Sequence, residues 1–227
     1  MTLSYWQGEA GDAYLRRNFD SHAEMLPRID LWRQISKHLQ PAPGSVFEVG
    51  ANFGRNLRAF NWERSDAPTT FALEPNDLAC ALLESRWPHP KIIKGRAQAI
   101  KADDGFADLT FTSGVLIHIP PDELLQACKE IHRCSREWIV AIEYFSAEPR
   151  MVPYRGENDR LWTRDFGAFY LDNFPDLKPV ACGFAWKRMT GLDDLTWWVL
   201  RKENKPEFSL PRDNSEPALT GEILCPL

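Results

Sequence analysis

The run Glu48-Val49-Gly50-Ala51-Asn52-Phe53-Gly54 constrains this chain most. It lies between a short apolar segment, Val46 to Val49, and a segment of helical spacing, Arg55 to Phe60. A glycine directly after a strand permits a tight turn and lets backbone amides approach a ligand closely. Gly54 lets the following helix pack near the strand. The spacing departs from G-x-G-x-x-G, so a dinucleotide pyrophosphate is not the natural ligand. Glu48, an acid just before the glycines, would repel pyrophosphate and attract an ammonium or sulfonium. Glu74 closes the next strand candidate, Thr69 to Leu73. It falls roughly 20 residues after the loop, where an acid can accept both hydroxyls of a ribose.

The rest of the chain supplies a setting for that loop. Met25, Ile29, Trp32, Ile35 and Leu39 recur at spacings of three and four, which predicts a helix from Ser21 to Leu39 with one apolar face, stopped by Pro41 and Pro43. Leu78 to Arg86, Pro121 to Cys134 and Asp165 to Phe174 read as further helices. The second of these opens on proline and two acids. Strand candidates are Lys91 to Lys94, Asp108 to Ser113, Glu137 to Phe145, Lys178 to Lys187 and Leu195 to Lys202. The stretch between Phe145 and Arg164 reads as irregular. Alternating strands and helices predict an α/β, Rossmann-like fold with a mostly parallel sheet and helices on both faces. The last two strands, with only a turn between them, predict an antiparallel hairpin at the edge. With 227 residues the expectation is a single domain over 1–204 with an N-terminal helical cap, and an irregular tail over 205–227.

Composition limits the partners. A net charge of −5 argues against non-specific affinity for nucleic acid or anionic membrane. No secretory signal and no apolar run of membrane-spanning length is present. The cysteines (Cys80, Cys128, Cys134, Cys182, Cys225) are odd in number and scattered. They imply free thiols in a reducing cytoplasm, with no disulfide framework and no metal site.

A ribose acid together with an acid facing a cation predicts S-adenosylmethionine over NAD. Gly95 to Gln98 falls where adenine would be flanked, and Thr112 to His118 follows the fourth strand at the carboxyl edge, where open α/β sheets bind ligands. The expected cofactor set is Trp6, Tyr14, Glu48, Gly50, Asn52, Gly54, Glu74, Pro75, Ala97, Ser113, Gly114 and Val115. The bland alternative is a Rossmann-like domain with a structural glycine turn and surface glutamates.

These segments resemble the class I methyltransferases. The stretches Trp6 to Asn18, Val115 to Ile119, Val152 to Gly156, Asp159 to Phe166 and Asp193 to Trp197 resemble, more narrowly, the pseudaminic acid biosynthesis-associated methylases. The resemblance runs from about Trp6 to Lys202. It implies a seven-stranded sheet with an antiparallel last strand and S-adenosylmethionine as cofactor. Asn52 departs from it, standing where many class I enzymes carry glycine. The same resemblance extends to azetidine-2-carboxylate synthases, which cyclise S-adenosylmethionine and release methylthioadenosine.

On the acceptor side His118 is the best-placed proton acceptor, with an ordinary pKa near neutrality. Glu143 and Tyr144, at the end of the fifth strand, are the other catalytic candidates, Glu143 for a substrate amino group and Tyr144 or Tyr14 for a cation–π contact with the sulfonium. Arg150, Arg155, Arg160 and Arg164 recur through the irregular stretch, and Arg155 and Arg160 are the expected anion-binding pair. Trp6 and Trp186 are candidates to line a substrate pocket. The leading expectation is methyl transfer to a small polar metabolite, a sugar acid or an amino-acid derivative. Self-cyclisation of the cofactor and a catalytically idle cofactor-binding protein are the rivals. The oligomeric state is left open.

Overall fold

A computed structural model describes residues 3–18, 22–62, 64–86, 88–154, 156 and 158–203. The expected 205–227 tail and Arg155 lie outside them. The elements are, in chain order, α1 (Leu3–Gln7), α2 (Glu9–Arg17), α3 (His22–Ser36), β1 (Ser45–Val49), α4 (Arg55–Asn61), β2 (Thr69–Glu74), α5 (Asp77–Ser85), β3 (Lys91–Lys94) and β4 (Ala107–Ser113). A 3-10 turn over Leu116–His118 leads into α6 (Pro121–Cys134) and β5 (Ser135–Glu143). Then follow β6 (Arg150–Met151), β7 (Trp162–Thr163), α7 (Phe166–Asn173), β8 (Leu177–Ala185), α8 (Lys187–Thr190) and β9 (Leu195–Lys202).

Seven strands form one sheet in the order β3-β2-β1-β4-β5-β9-β8. The β1–β2, β1–β4, β2–β3 and β4–β5 pairs are parallel. Strand β9 runs antiparallel to both β5 and β8, which makes it the one reversed strand of the sheet. This is the Rossmann-like architecture of the class I methyltransferases, as the sequence implied.

Side-chain alternation explains why the sheet is covered on both faces. Along β5, Trp138, Val140 and Ile142 join one buried cluster while Ile139 and Ala141 join the other. Both faces of a mostly parallel sheet must be buried, so such strands read as nearly continuous apolar runs. The first cluster takes Met25, Ile29, Trp32, Ile35 and Leu39, the periodic positions of α3 and the turn after it. Trp32 packs edge-on to Phe60 of α4 and Phe111 of β4, at ring-centroid separations of 5.1 and 4.7 Å. The second cluster takes Leu124, Ala127, Cys128 and Ile131 of α6 with Phe166 and Tyr170 of α7.

Three expectations change. Strand β5 spans 135–143, so Tyr144 and Phe145 fall beyond it. Ser135 starts it two residues early, its hydroxyl donating to the Trp138 carbonyl at 2.6 Å. The arginine-rich stretch contains a small ladder pairing Arg150 with Thr163 and Met151 with Trp162. The joint between the last two strands holds a helical turn, α8, besides the Gly191 bend.

Candidate functional site

The open end of the sheet is shaped by the loop after β1. The Gly50 and Ala51 amides both donate to the Leu73 carbonyl, at 2.8 and 3.0 Å, which folds the chain back over the end of β2. Gly50 has φ +75°, and a Cβ there would stand 2.6 Å from Val115 Cγ2. Glycine is therefore required twice over, by conformation and by space. Asn52 has φ +50°. Asparagine is among the few side chains that adopt this region readily, which is how the chain dispenses with a glycine here. Its Oδ1 accepts from the Phe53 amide at 2.8 Å. Gly54 (φ +80°) begins α4, and a Cβ on it would meet Leu83 of α5 at 2.8 Å. The close approach at Gly54 is thus to α5 rather than to the strand before it, and Gly54 lies outside the pocket wall.

Two buried carboxylates line the pocket. Glu48 is 1% exposed; its Oε1 accepts from Asn56 Nδ2 at 3.0 Å and its Oε2 is buried without a hydrogen-bond partner. Burial pushes its pKa up to about 8, against the pull of the Asn56 hydrogen bond. Glu74 is 6% exposed; Oε2 accepts from the Asn52 amide at 2.7 Å and Oε1 from the Asn76 amide at 2.9 Å. Burial raises its pKa to about 7. Each of its oxygens keeps a second lone pair, so the carboxylate can still accept two hydroxyl groups.

The remaining walls come from three directions. Leu73 and Pro75 flank Glu74, with Ala97 and Gln98 beyond β3. Ser113, Gly114, Val115, His118 and Ile119 follow β4. The cap helices α1 and α2 contribute Trp6 and Tyr14. Trp6 meets Tyr14 and His118 edge-on, at centroid separations of 5.5 and 5.0 Å, and His118 meets Tyr154 in the same manner at 5.2 Å. His118 Nδ1 lies 2.8 Å from the Arg160 carbonyl. A carbonyl only accepts, so Nδ1 carries the hydrogen and the neutral ring presents its lone pair at Nε2. Burial lowers the pKa of His118, partly opposed by that hydrogen bond.

The sequence-expected residues separate clearly. Eleven of the twelve expected cofactor residues line this one pocket, Gly54 excepted, and His118 joins them. Glu143 does not. It is fully buried, and Oε1 accepts from the Val115 and Leu116 amides, both at 3.2 Å. Burial raises its pKa to about 7. The expectation that it holds a substrate amino group is corrected: its side chain braces the turn that carries His118. Tyr144 also lies outside the wall, its hydroxyl donating to Asp193 Oδ2 at 2.8 Å. Arg160 reaches the site through its carbonyl, while its guanidinium sits over the Tyr5 ring at 5.0 Å. Trp186 is exposed and away from the pocket. Sequence reasoning missed Arg28, Arg55 and Asn56 in the wall. Arg55 and Asn56 follow the glycine loop directly and could have been taken with it. Arg28 gave no such signal.

Residues 47–137 match the family model of a methyltransferase domain. No curated protein matches the sequence. Among solved structures, the chain resembles the 1,6-didemethyltoxoflavin-N1-methyltransferase of Burkholderia thailandensis, determined with 1,6-didemethyltoxoflavin and S-adenosylhomocysteine. That similarity has a TM-score of 0.64 at 18% identity, over 88% of this chain and 85% of that one. The magnesium protoporphyrin IX methyltransferase of Synechocystis PCC 6803, with bound S-adenosylhomocysteine, gives 0.65 at 9% identity, over 88% and 98%. A Leishmania major S-adenosylmethionine-dependent methyltransferase gives 0.63 at 18%, over 87% and 80%. At these identities the likeness is one of fold.

Residues 47–137 thus carry a methyltransferase domain, the mark of an enzyme that uses S-adenosylmethionine. The residues present fit that cofactor: an unpartnered buried carboxylate oxygen suits its cationic end, and a second carboxylate with spare lone pairs suits its ribose. Among the described residues no group of His, Cys, Asp and Glu could hold a metal ion, and no helix is long and apolar enough to cross a membrane.

Proposed function

We propose that this enzyme methylates a small, polar, anionic metabolite, with His118 as the proton acceptor. The observation that carries this reading is the combination, in one pocket, of the two buried carboxylates with Arg28, Arg55 and His118. Glu74 would hold the ribose. Glu48 would hold the ammonium of the methionine end, with Arg28 close enough to lower the pKa of Glu48 and so able to take the neighbouring carboxylate. When bound, the cofactor supplies an electrophilic methyl group. The protein aligns the acceptor, excludes water with Trp6 and Tyr14, and takes the acceptor's proton at His118 Nε2. The aromatic cap favours a small acceptor over a macromolecule, and Arg55 favours a carboxylate such as a sugar acid or an amino acid carries.

Calorimetry with S-adenosylhomocysteine and the Glu74→Ala variant tests the cofactor roles. Loss of the hydroxyl contacts should weaken binding by about 1–3 kcal/mol; unchanged affinity would remove Glu74 from the ribose site. Incubation with S-adenosylmethionine, with and without a panel of small acids and amino acids, tests the reaction. Acceptor-dependent S-adenosylhomocysteine supports the reading. Methylthioadenosine formed without any acceptor would overturn it.

A further inference from the structure

Asn76 stands two residues beyond Glu74 and is 3% exposed. Its amide donates to Glu74 Oε1 at 2.9 Å, and its Oδ1 accepts from the Ala79 amide at 2.9 Å, capping α5. Its Nδ2 donates to the Trp6 carbonyl at 3.0 Å and to Asp12 Oδ1 at 2.9 Å. One residue thus joins the ribose carboxylate, the start of α5 and both cap helices. The approach depends on Gly11, where a Cβ would stand 2.0 Å from the Trp6 carbonyl oxygen and 2.9 Å from Asn76 Nδ2. No other residue type makes room for that contact.

We infer that Asn76 is a positioning residue that couples ribose recognition at Glu74 to the seating of α1 and α2 over the pocket. The inference rests on the cofactor reading above. Asparagine suits the position because its side chain offers one acceptor and two donors at once. Aspartate would cap α5 but lose both donors and set a third carboxylate beside Glu74 and Asp12. Serine would cap α5 but cannot reach the cap helices. Besides this amide, the cap is held by Leu15 packed against Phe53 and Ala79, by Trp6 against His118 and by Tyr5 under the Arg160 guanidinium. A ligand that fixes the Glu74 carboxylate fixes the Asn76 backbone, and through Nδ2 it steadies the helices that present Trp6 and Tyr14. The coupling is reciprocal, so a loosened cap weakens cofactor binding.

Limited trypsin digestion of the full chain reads this coupling at Arg16 and Arg17, which are exposed at the end of α2. Bound S-adenosylhomocysteine should slow cleavage there about tenfold in the wild type. In Asn76→Ser, protection should fall to about twofold at saturating ligand, with affinity reduced about tenfold. Asp12→Ala leaves the α5 cap intact and removes one of the two bonds, so it should lose part of the protection without loss of the core's thermal stability. Wild-type protection in both variants would overturn the inference. A wild-type chain that fails to bind S-adenosylhomocysteine by calorimetry would overturn the cofactor reading itself, a result distinct from the first.

Discussion

The imidazole of His118 is held by the Arg160 carbonyl at Nδ1 and flanked edge-on by Trp6 and Tyr154, which fixes both its orientation and its tautomer. Burial lowers its pKa below the ordinary 6.5, so the ring is neutral at pH 7 and able to take a proton. Turnover should therefore be flat with respect to His118 across neutral pH and decline only as pH falls through that lowered value. His118→Ala should reduce turnover by about 10²–10⁴-fold. Affinity for S-adenosylhomocysteine should change little. Turnover that survives the substitution would make His118 structural. Its placement was legible because it follows the fourth strand at the carboxyl edge. Arg28 was not legible: the pattern of α3 is its buried stripe, and an arginine off that stripe looks like any solvated charge. Glu143 misled for a related reason. Sequence put it at the correct end of β5 but did not show that its carboxylate turns toward the amides at 115 and 116.

At the scale of elements, β4, β5 and the turn at Leu116–His118 act as one unit, with Glu143 as the tie. Glu143→Ala leaves two amides without their acceptor and should destabilise the protein by about 1–3 kcal/mol. Glu143→Gln keeps an acceptor oxygen and should recover most of that loss. Chemical unfolding of the two variants distinguishes them, and equal stability would deny the tie. Several elements were legible from period and punctuation: Lys91–Lys94, Pro121–Cys134 and Leu195–Lys202 begin and end where the sequence set them. The β6–β7 ladder was not, because a two-residue strand has no period to detect. Strand β5 was set too late because its first residues, Ser135 and Arg136, do not continue the apolar run.

Across the whole molecule, three buried carboxylates (Glu48, Glu74 and Glu143) have pKa values raised from 4.5 to about 8, 7 and 7. The folded chain binds more protons at these sites than the unfolded chain between those values, so they lower stability as pH rises. His118 and His132 act oppositely below 6.5, where the unfolded chain takes the proton more readily. Cofactor-free protein should thus gain thermal stability as pH falls from about 8 to about 6.5, and Glu48→Gln should flatten the trend. A rise in stability over the same interval with increasing pH would contradict the assignment. The mostly parallel sheet followed from the alternation of elements, its strand order did not, and the expected cofactor end came from the Glu48–Gly54 loop. The docking of the cap did not, since it joins Trp6 to Asn76 across 70 positions. Glu48 has a further consequence. On the proposed reading, a carboxyl group whose pKa burial raises to about 8 would give up its hydrogen to receive an ammonium, exchanging one cation for another. Uptake of the cofactor would then acidify its surroundings, and the heat of binding would vary with the ionisation enthalpy of the buffer.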